Sequence, residues 1–190
     1  MSKEKKIVLF ASGSGTNAEN IIRYFQQKEK NISIAGVFTN NNNAGVIKRA
    51  GNLNITVSIF NKEDMTSGKL IAQLIKINPD LIVLAGFMLK IPKSLILAFP
   101  SRIINIHPAL LPLYGGKGMY GSHVHKAVIE AKEKESGITI HYVNEEYDAG
   151  DIIFQAKVPV LEEDSPETLA EKIHNLEYRY FPEVIEKLLN

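Results

Sequence analysis

Cysteine is absent from all 190 residues. That gap excludes disulfides, thiolate zinc sites, iron–sulfur clusters and a cysteine nucleophile together. Long apolar runs are missing as well. The first one, Ile7–Phe10, is four residues long and follows a charged start. It is too short for a secretory segment, and nowhere is there the run of about 18 apolar residues that a membrane span needs. Neither sign of charge is in excess, since 22 Lys+Arg against 21 Asp+Glu leave +1. A polyanion binder usually carries a basic surplus, so nucleic acid is not expected as a partner. With no membrane or nucleic-acid partner indicated, the chain reads as soluble and cytoplasmic. No repeat, low-complexity tract or composition shift marks a boundary, so residues 1–190 read as a single domain. Nothing in the pattern specifies an oligomeric state.

What the chain does contain is an alternation of short β-branched runs with amphipathic stretches. Ile7–Phe10, Ile32–Thr39, Ile55–Phe60, Leu81–Leu84 and Ile103–Ile106 read as strands. Helical spacing begins near Ala18 and recurs over Lys69–Ile77, Pro92–Phe99 and His123–Lys132. Ile138–Val143 and Ile152–Val160 are two strands joined by a turn, which suggests an antiparallel excursion. The last helix opens with Ser165 as cap and Pro166 at its first position, and Pro182 is expected to kink or split it. The order implies an α/β fold: an open, mainly parallel twisted sheet with helices on both faces and a Rossmann-type N-terminal half. Ligands of such sheets lie beyond the carboxyl ends of the strands, which directs attention to the segments after Phe10, Leu84 and Ile106.

Each of those segments is unusual. Ser12-Gly13-Ser14-Gly15-Thr16-Asn17-Ala18 is a glycine loop opening a helix, suited to an anion at the first N–H groups. Gly13, Gly15 and Ala18 fit a dinucleotide fingerprint, but the second strand ends at Thr39-Asn40-Asn41 without the acid that the ribose would need. A phosphate monoester fits better, with a plain strand–helix turn as the competing reading. Asn105 and His107 are two apart on a strand and therefore share a face, while Ile106 turns back to the core. An amide beside an imidazole can stabilise an oxyanion and move a proton, although such a pair also serves structure alone. Tyr147-Asp148-Ala149-Gly150-Asp151 is a turn whose carboxylate either faces His107 and raises its pKa or caps the hairpin. His123, His125 and His141 lack the spacing of a zinc motif, so no metal is expected.

Together these peptides resemble one family. Ser12–Asn17, Ala85-Gly86-Phe87-Met88, Asn105–Pro112 and Asp148–Asp151 occur in the order and at the distances found in the folate-dependent formyltransferases. The loop ending Gly15-Thr16-Asn17 is similar to the glycinamide ribonucleotide (phosphoribosylglycinamide) branch in particular. The likeness runs from about Lys6 into the final helix and implies a formyltransferase-like fold. It implies small-molecule substrates: 10-formyltetrahydrofolate as formyl donor and co-substrate, and glycinamide ribonucleotide as acceptor in purine synthesis. Carried over by position, it gives Gly15, Thr16, Asn17 and Glu177 to the nucleotide. Lys62, Met88, Leu89, Lys90, Ile91 and Asn105 fall to the folate, and Asn105, His107 and Asp148 to catalysis by direct amine attack through an oxyanion. Two departures stand out. Many members have an arginine near Lys62-Glu63, where only Lys62 offers a charge here. Gly115–Gly121, with four glycines in seven residues, exceeds the corresponding loop of many members. Within the same chemistry a methionyl-tRNA formyltransferase or a formyltetrahydrofolate hydrolase would be expected to carry a further domain. Outside it, a non-catalytic nucleotide-binding module would have no use for Asn105, His107 and Asp148 together.

Overall fold

Ile7, Val8, Leu9 and Phe10 are all completely buried, so the first strand is covered on both of its faces. A computed structural model of the chain describes residues 4–28 and 31–190. Among these, seven strands form one sheet in the order β3-β2-β1-β4-β5-β6-β7. The strands are β1 (Lys5–Phe10), β2 (Ile32–Thr39), β3 (Val57–Ile59), β4 (Leu81–Leu84), β5 (Ile103–His107), β6 (Glu135–Tyr142) and β7 (Ile152–Pro159). Pairing is parallel from β3 through β5 and antiparallel from β5 to β6 and β6 to β7. The alternation of side chains divides the core in two. Ile7, Leu9, Val83 and Ile104 pack under α1 (Thr16–Gln26), α2 (Gly45–Asn52), α6 (Ser122–Glu130) and α7 (Pro166–Leu189). Val8, Phe10, Ile82 and Ile103 pack under α3 (Lys62–Thr66), α4 (Lys69–Ile77) and α5 (Lys93–Ala98).

Several expectations are refined. The first helix begins at Thr16, two residues before Ala18, because left-handed Gly15 (φ 78°) can turn the chain that early. The third strand is only Val57–Ile59, and two short helices join the pattern. One, α2, holds Gly45 and Gly51 and buries only Val46 and Ala50, too little periodicity to stand out. The other, α3, has five residues and is fixed by a capping box between Asn61 and Asp64. Ser165 caps α7 as its sequence implies, but Pro182 does not break the helix. A proline there removes the N–H that would bond the Tyr178 carbonyl. That carbonyl instead accepts from Asn20 Nδ2 at 2.8 Å, which fastens α7 to α1. No helix among the described residues is long and apolar enough to cross a membrane.

Phe10 holds the α3–α5 face together. Its ring stacks on Phe38 at 5.3 Å and meets Phe87 edge-on at the same distance. Phe10→Ala is therefore expected to lower unfolding free energy by about 3–5 kcal/mol. Ile75→Ala, at a position 58% exposed, should stay within about 0.5 kcal/mol. Urea denaturation of the two variants checks both values.

Candidate active site

A cleft of about 580 Å³ opens beyond the carboxyl ends of β1, β4 and β5. Gly13–Asn17, Ala85–Met88 and Asn105–Pro108 form its floor, the glycine-rich strap from Gly116 to Gly121 crosses one side, and Tyr147 with Asp148 and His174 with Glu177 complete it. The glycine loop is held tightly. Ser12 donates its backbone N–H to the Gly86 carbonyl at 3.0 Å, and its hydroxyl accepts from Met88 N at 2.9 Å. A Cβ on Gly15 would come within 2.6 Å of the Val46 Cα, so only glycine lets α2 approach the start of α1. The first N–H groups of α1 have no acceptor inside the helix and lie along the cleft.

The chain leaving β5 is tied down from behind. Thr139, fully buried on β6, donates its hydroxyl to the Ala109 carbonyl at 2.7 Å and accepts from Leu111 N at 3.0 Å. Gln155 on β7 adds bonds to the Leu111 carbonyl and to the same hydroxyl. Two turns further on, the Tyr114 carbonyl lies 2.8 Å from His107 Nε2. A carbonyl only accepts, so Nε2 carries a proton and Nδ1 is the nitrogen that titrates. Nδ1 faces Asp148 Oδ2 at 3.5 Å, too far for a good hydrogen bond but close enough for strong electrostatics. The same Oδ2 accepts from Gly116 N at 3.0 Å, and Oδ1 lies 3.7 Å from His141 Nε2.

Asn105 is oriented by His141. His141 Nδ1 donates to the Tyr142 carbonyl at 2.8 Å, leaving Nε2 to accept from Asn105 Nδ2 at 3.1 Å. Turning the amide over would demand a second proton on a buried imidazole, which burial opposes. The amide N–H₂ is thereby fixed, with one hydrogen committed and one available to a ligand.

Burial dominates three histidines, His107, His125 and His141. It pushes His107 below the ordinary histidine range; the Asp148 carboxylate and the Tyr114 carbonyl raise it, as the acidic turn led us to expect, without overcoming burial. The net shift therefore favours a neutral His107 at neutral pH over the imidazolium that the carboxylate alone would favour. His125, in the first turn of α6 beneath the cleft, is pushed down to about 4 by burial and the nearby His174, and its Nδ1 has no hydrogen-bond partner. At the other end Glu177 is 6% exposed, and burial raises its carboxyl. Its Oε2 accepts from Asn17 Nδ2 at 2.8 Å across 160 residues of sequence.

The residues assigned to folate do not share one wall. Met88 lines the cleft, Lys90 and Ile91 line a smaller neighbouring pocket with Pro92, Lys93 and Glu145, and Leu89 packs on the α3–α5 core. Lys90 joins the two pockets, its Nζ lying 5.3 Å from the centre of the Tyr147 ring. Lys62 begins α3 and lines neither pocket. His123 is exposed, with its ring against Tyr120. Among the described residues no cluster of His, Asp and Glu is arranged to hold a metal. Sequence reasoning missed Tyr114, Thr139, Gln155 and His174. The paired polar positions of β6, Thr139 and His141, were the one signal within reach, since they share a face.

Comparison with known proteins follows the same outline. Residues 5–185 match the family described as Formyl transferase. A phosphoribosylglycinamide formyltransferase of Bacillus subtilis is 36% identical over 97% of this chain and 95% of its own length. The chloroplastic phosphoribosylglycinamide formyltransferase of Arabidopsis thaliana is 40% identical over 96% of this chain, which spans only 65% of that relative. The crystal structure of glycinamide ribonucleotide transformylase 1 from Geobacillus kaustophilus superimposes with a TM-score of 0.90 at 33% identity, covering 98% of this chain and all of that one.

The depressed histidines make stability depend on pH. A histidine neutral when folded and protonated when unfolded gives the unfolded state more protons, so stability is lost as pH falls from 6.5 toward about 4 for His125. Glu177, raised by burial, acts in the opposite sense. Urea midpoints at about pH 7 and about pH 5 should therefore differ more for the native chain than for His125→Gln; an equal drop in both would assign the acid sensitivity elsewhere.

Proposed function

The chain belongs to the formyl transferase family, and from that membership we propose that it transfers a formyl group from 10-formyltetrahydrofolate to the primary amine of glycinamide ribonucleotide. Residues 1–190 would act as one catalytic domain. Both substrates are small soluble anions, which suits a cytoplasmic reaction within purine synthesis. The observation that carries the reading is the placement of an oriented Asn105 amide and the His107 imidazole, backed by Asp148, in one cleft with an anion-suited glycine loop.

The chemistry follows from those protonation states. The amine attacks the formyl carbon, forming a C–N bond and leaving negative charge on the formyl oxygen. The free N–H of Asn105 donates to that oxygen. Positive charge developing on the attacking nitrogen is relieved when Nδ1 of His107, the nitrogen left unprotonated in the neutral imidazole, accepts a proton. Asp148 at 3.5 Å supports the imidazolium so formed. His107 then returns the proton to N10 of the folate as the C–N10 bond breaks, so the protein ends unchanged. No covalent intermediate is needed, and holding two substrates in attack geometry supplies much of the remaining acceleration. Gly15, Thr16 and Asn17 would hold the ribose-phosphate through backbone N–H groups, with Glu177 beside them. Met88, Leu89, Lys90, Ile91 and Asn105 would contact the folate, whereas Lys62 lines neither pocket.

Incubation with both substrates, followed by the folate absorbance change, tests the activity directly. Asn105→Ala and Asp148→Asn should each lower kcat by about 10²–10³ while the far-ultraviolet spectrum and nucleotide affinity stay near native. Turnover within a few-fold of the native rate in either variant would remove that residue from its role.

A further inference from the structure

Hydrogen-bond donors are plentiful at the nucleotide end of the cleft, but full positive charge is scarce. A phosphate monoester brings close to two negative charges at neutral pH, while the start of a helix offers only about half a positive one. Glu177 lies in the same cleft, with an uncharged amide as its hydrogen-bond partner. Arg49 reaches this loop, donating to the Ser14 carbonyl at 3.0 Å, yet its guanidinium is paired with Glu19. Of the described residues lining the cleft, Lys117 is the one lysine or arginine, and it has no ion-pair partner among the described residues.

Its setting is that of a presented side chain. Met119 N bonds the Gly116 carbonyl at 3.1 Å, closing a turn over Gly116–Met119 with Lys117 second in it. Gly118, third in the turn, has φ 91°, the conformation a type II turn requires at that place. Nothing lies within 4 Å of where a Cβ would stand on Gly116 or Gly118, while Met119 at the end of the turn rests against the core, so the exposed Lys117 stands on an anchored turn. Its base is fixed by the bond from Gly116 N to Asp148.

Resting on the formyl-transfer reading, we propose that Lys117 is the counter-cation for the phosphate monoester of the nucleotide, brought over the glycine loop by the strap. A lysine suits this because its ammonium is a point charge on a flexible stem and needs no fixed angle to the phosphate. The carboxylates of the folate are the other anions in the reaction, but Lys90 already lines the pocket at that end, where Lys93 is paired with Glu145.

The test compares Lys117→Met with the native chain on glycinamide ribonucleotide and on its dephosphorylated nucleoside. A lost charge-assisted contact should cut kcat/KM for the nucleotide about tenfold or more, leave the nucleoside and the KM for folate unchanged, and be largely restored in Lys117→Arg. An unchanged nucleotide value, an equal fall for nucleotide and nucleoside, or a rise in folate KM alone would overturn the assignment. If the native chain formylates neither amine, the formyl-transfer reading fails separately. Calorimetric binding of ribose 5-phosphate to the two proteins then decides the role of Lys117, weaker binding to the variant supporting it and equal binding refuting it.

Discussion

The buried hydroxyl of Thr139 holds the chain at the point where it leaves β5. Removing that hydroxyl would leave the Leu111 N–H and the Ala109 carbonyl facing an apolar interior, each at a cost of about 1–3 kcal/mol. More follows from it than stability. With Ala109 and Leu111 pinned, the next residues bring the Tyr114 carbonyl to His107, and that carbonyl decides which imidazole nitrogen stays protonated. The strap beyond Tyr114 then delivers Gly116 N to Asp148, which turns the carboxylate toward the other nitrogen. Protonation in the cleft thus depends on a side chain that never lines it.

Four parallel pairings open a crevice at the carboxyl ends of β1, β4 and β5, but parallel strands return their connections to the opposite end. β6 runs antiparallel to β5, with His107 opposite Thr139 and Ile104 opposite Tyr142, so the turn after β6 leaves beside the start of β5 and folds back to reach the crevice. Asp148 sits in that turn with φ 53°, and a Cβ on Gly150 would collide with the Tyr142 carbonyl oxygen, so the turn lies flat against the strand end. The fold-back of that turn delivers the acid, while β6 itself supplies Thr139 behind the loop and His141 behind Asn105.

Much of this was legible because it rests on local pattern. Leu81–Leu84 is apolar without a break because helices cover both faces. The alternation that set Asn105 and His107 apart from Ile106 is a property of any strand, and the structure brings both into the cleft with Asp148. What could not be read depends on summed tertiary contacts or on the main chain. Any residue at 114 offers a carbonyl, so nothing in its identity announces the bond to His107. The ionisation of His107 follows a contest between burial and a carboxylate, and a sequence discloses the carboxylate far more readily than the burial. Pro182 was read by its local rule, which predicted a kink or a split; Asn20, 162 residues away, supplies the donor that the rule left out.

His107, His125 and His141 are all held down by burial and Glu177 is raised by it, so burial shifts each of these groups toward its uncharged form. Charge enters with the substrates. Each new negative charge beside His107 raises its affinity for a proton, so the imidazole becomes basic when the reacting groups are in place and not before. A histidine already cationic in the empty site would attract anions sooner but could accept no proton from the amine. The burial that depresses His107 therefore leaves it able to act as the base, and Asp148 keeps the cost of protonating it within reach.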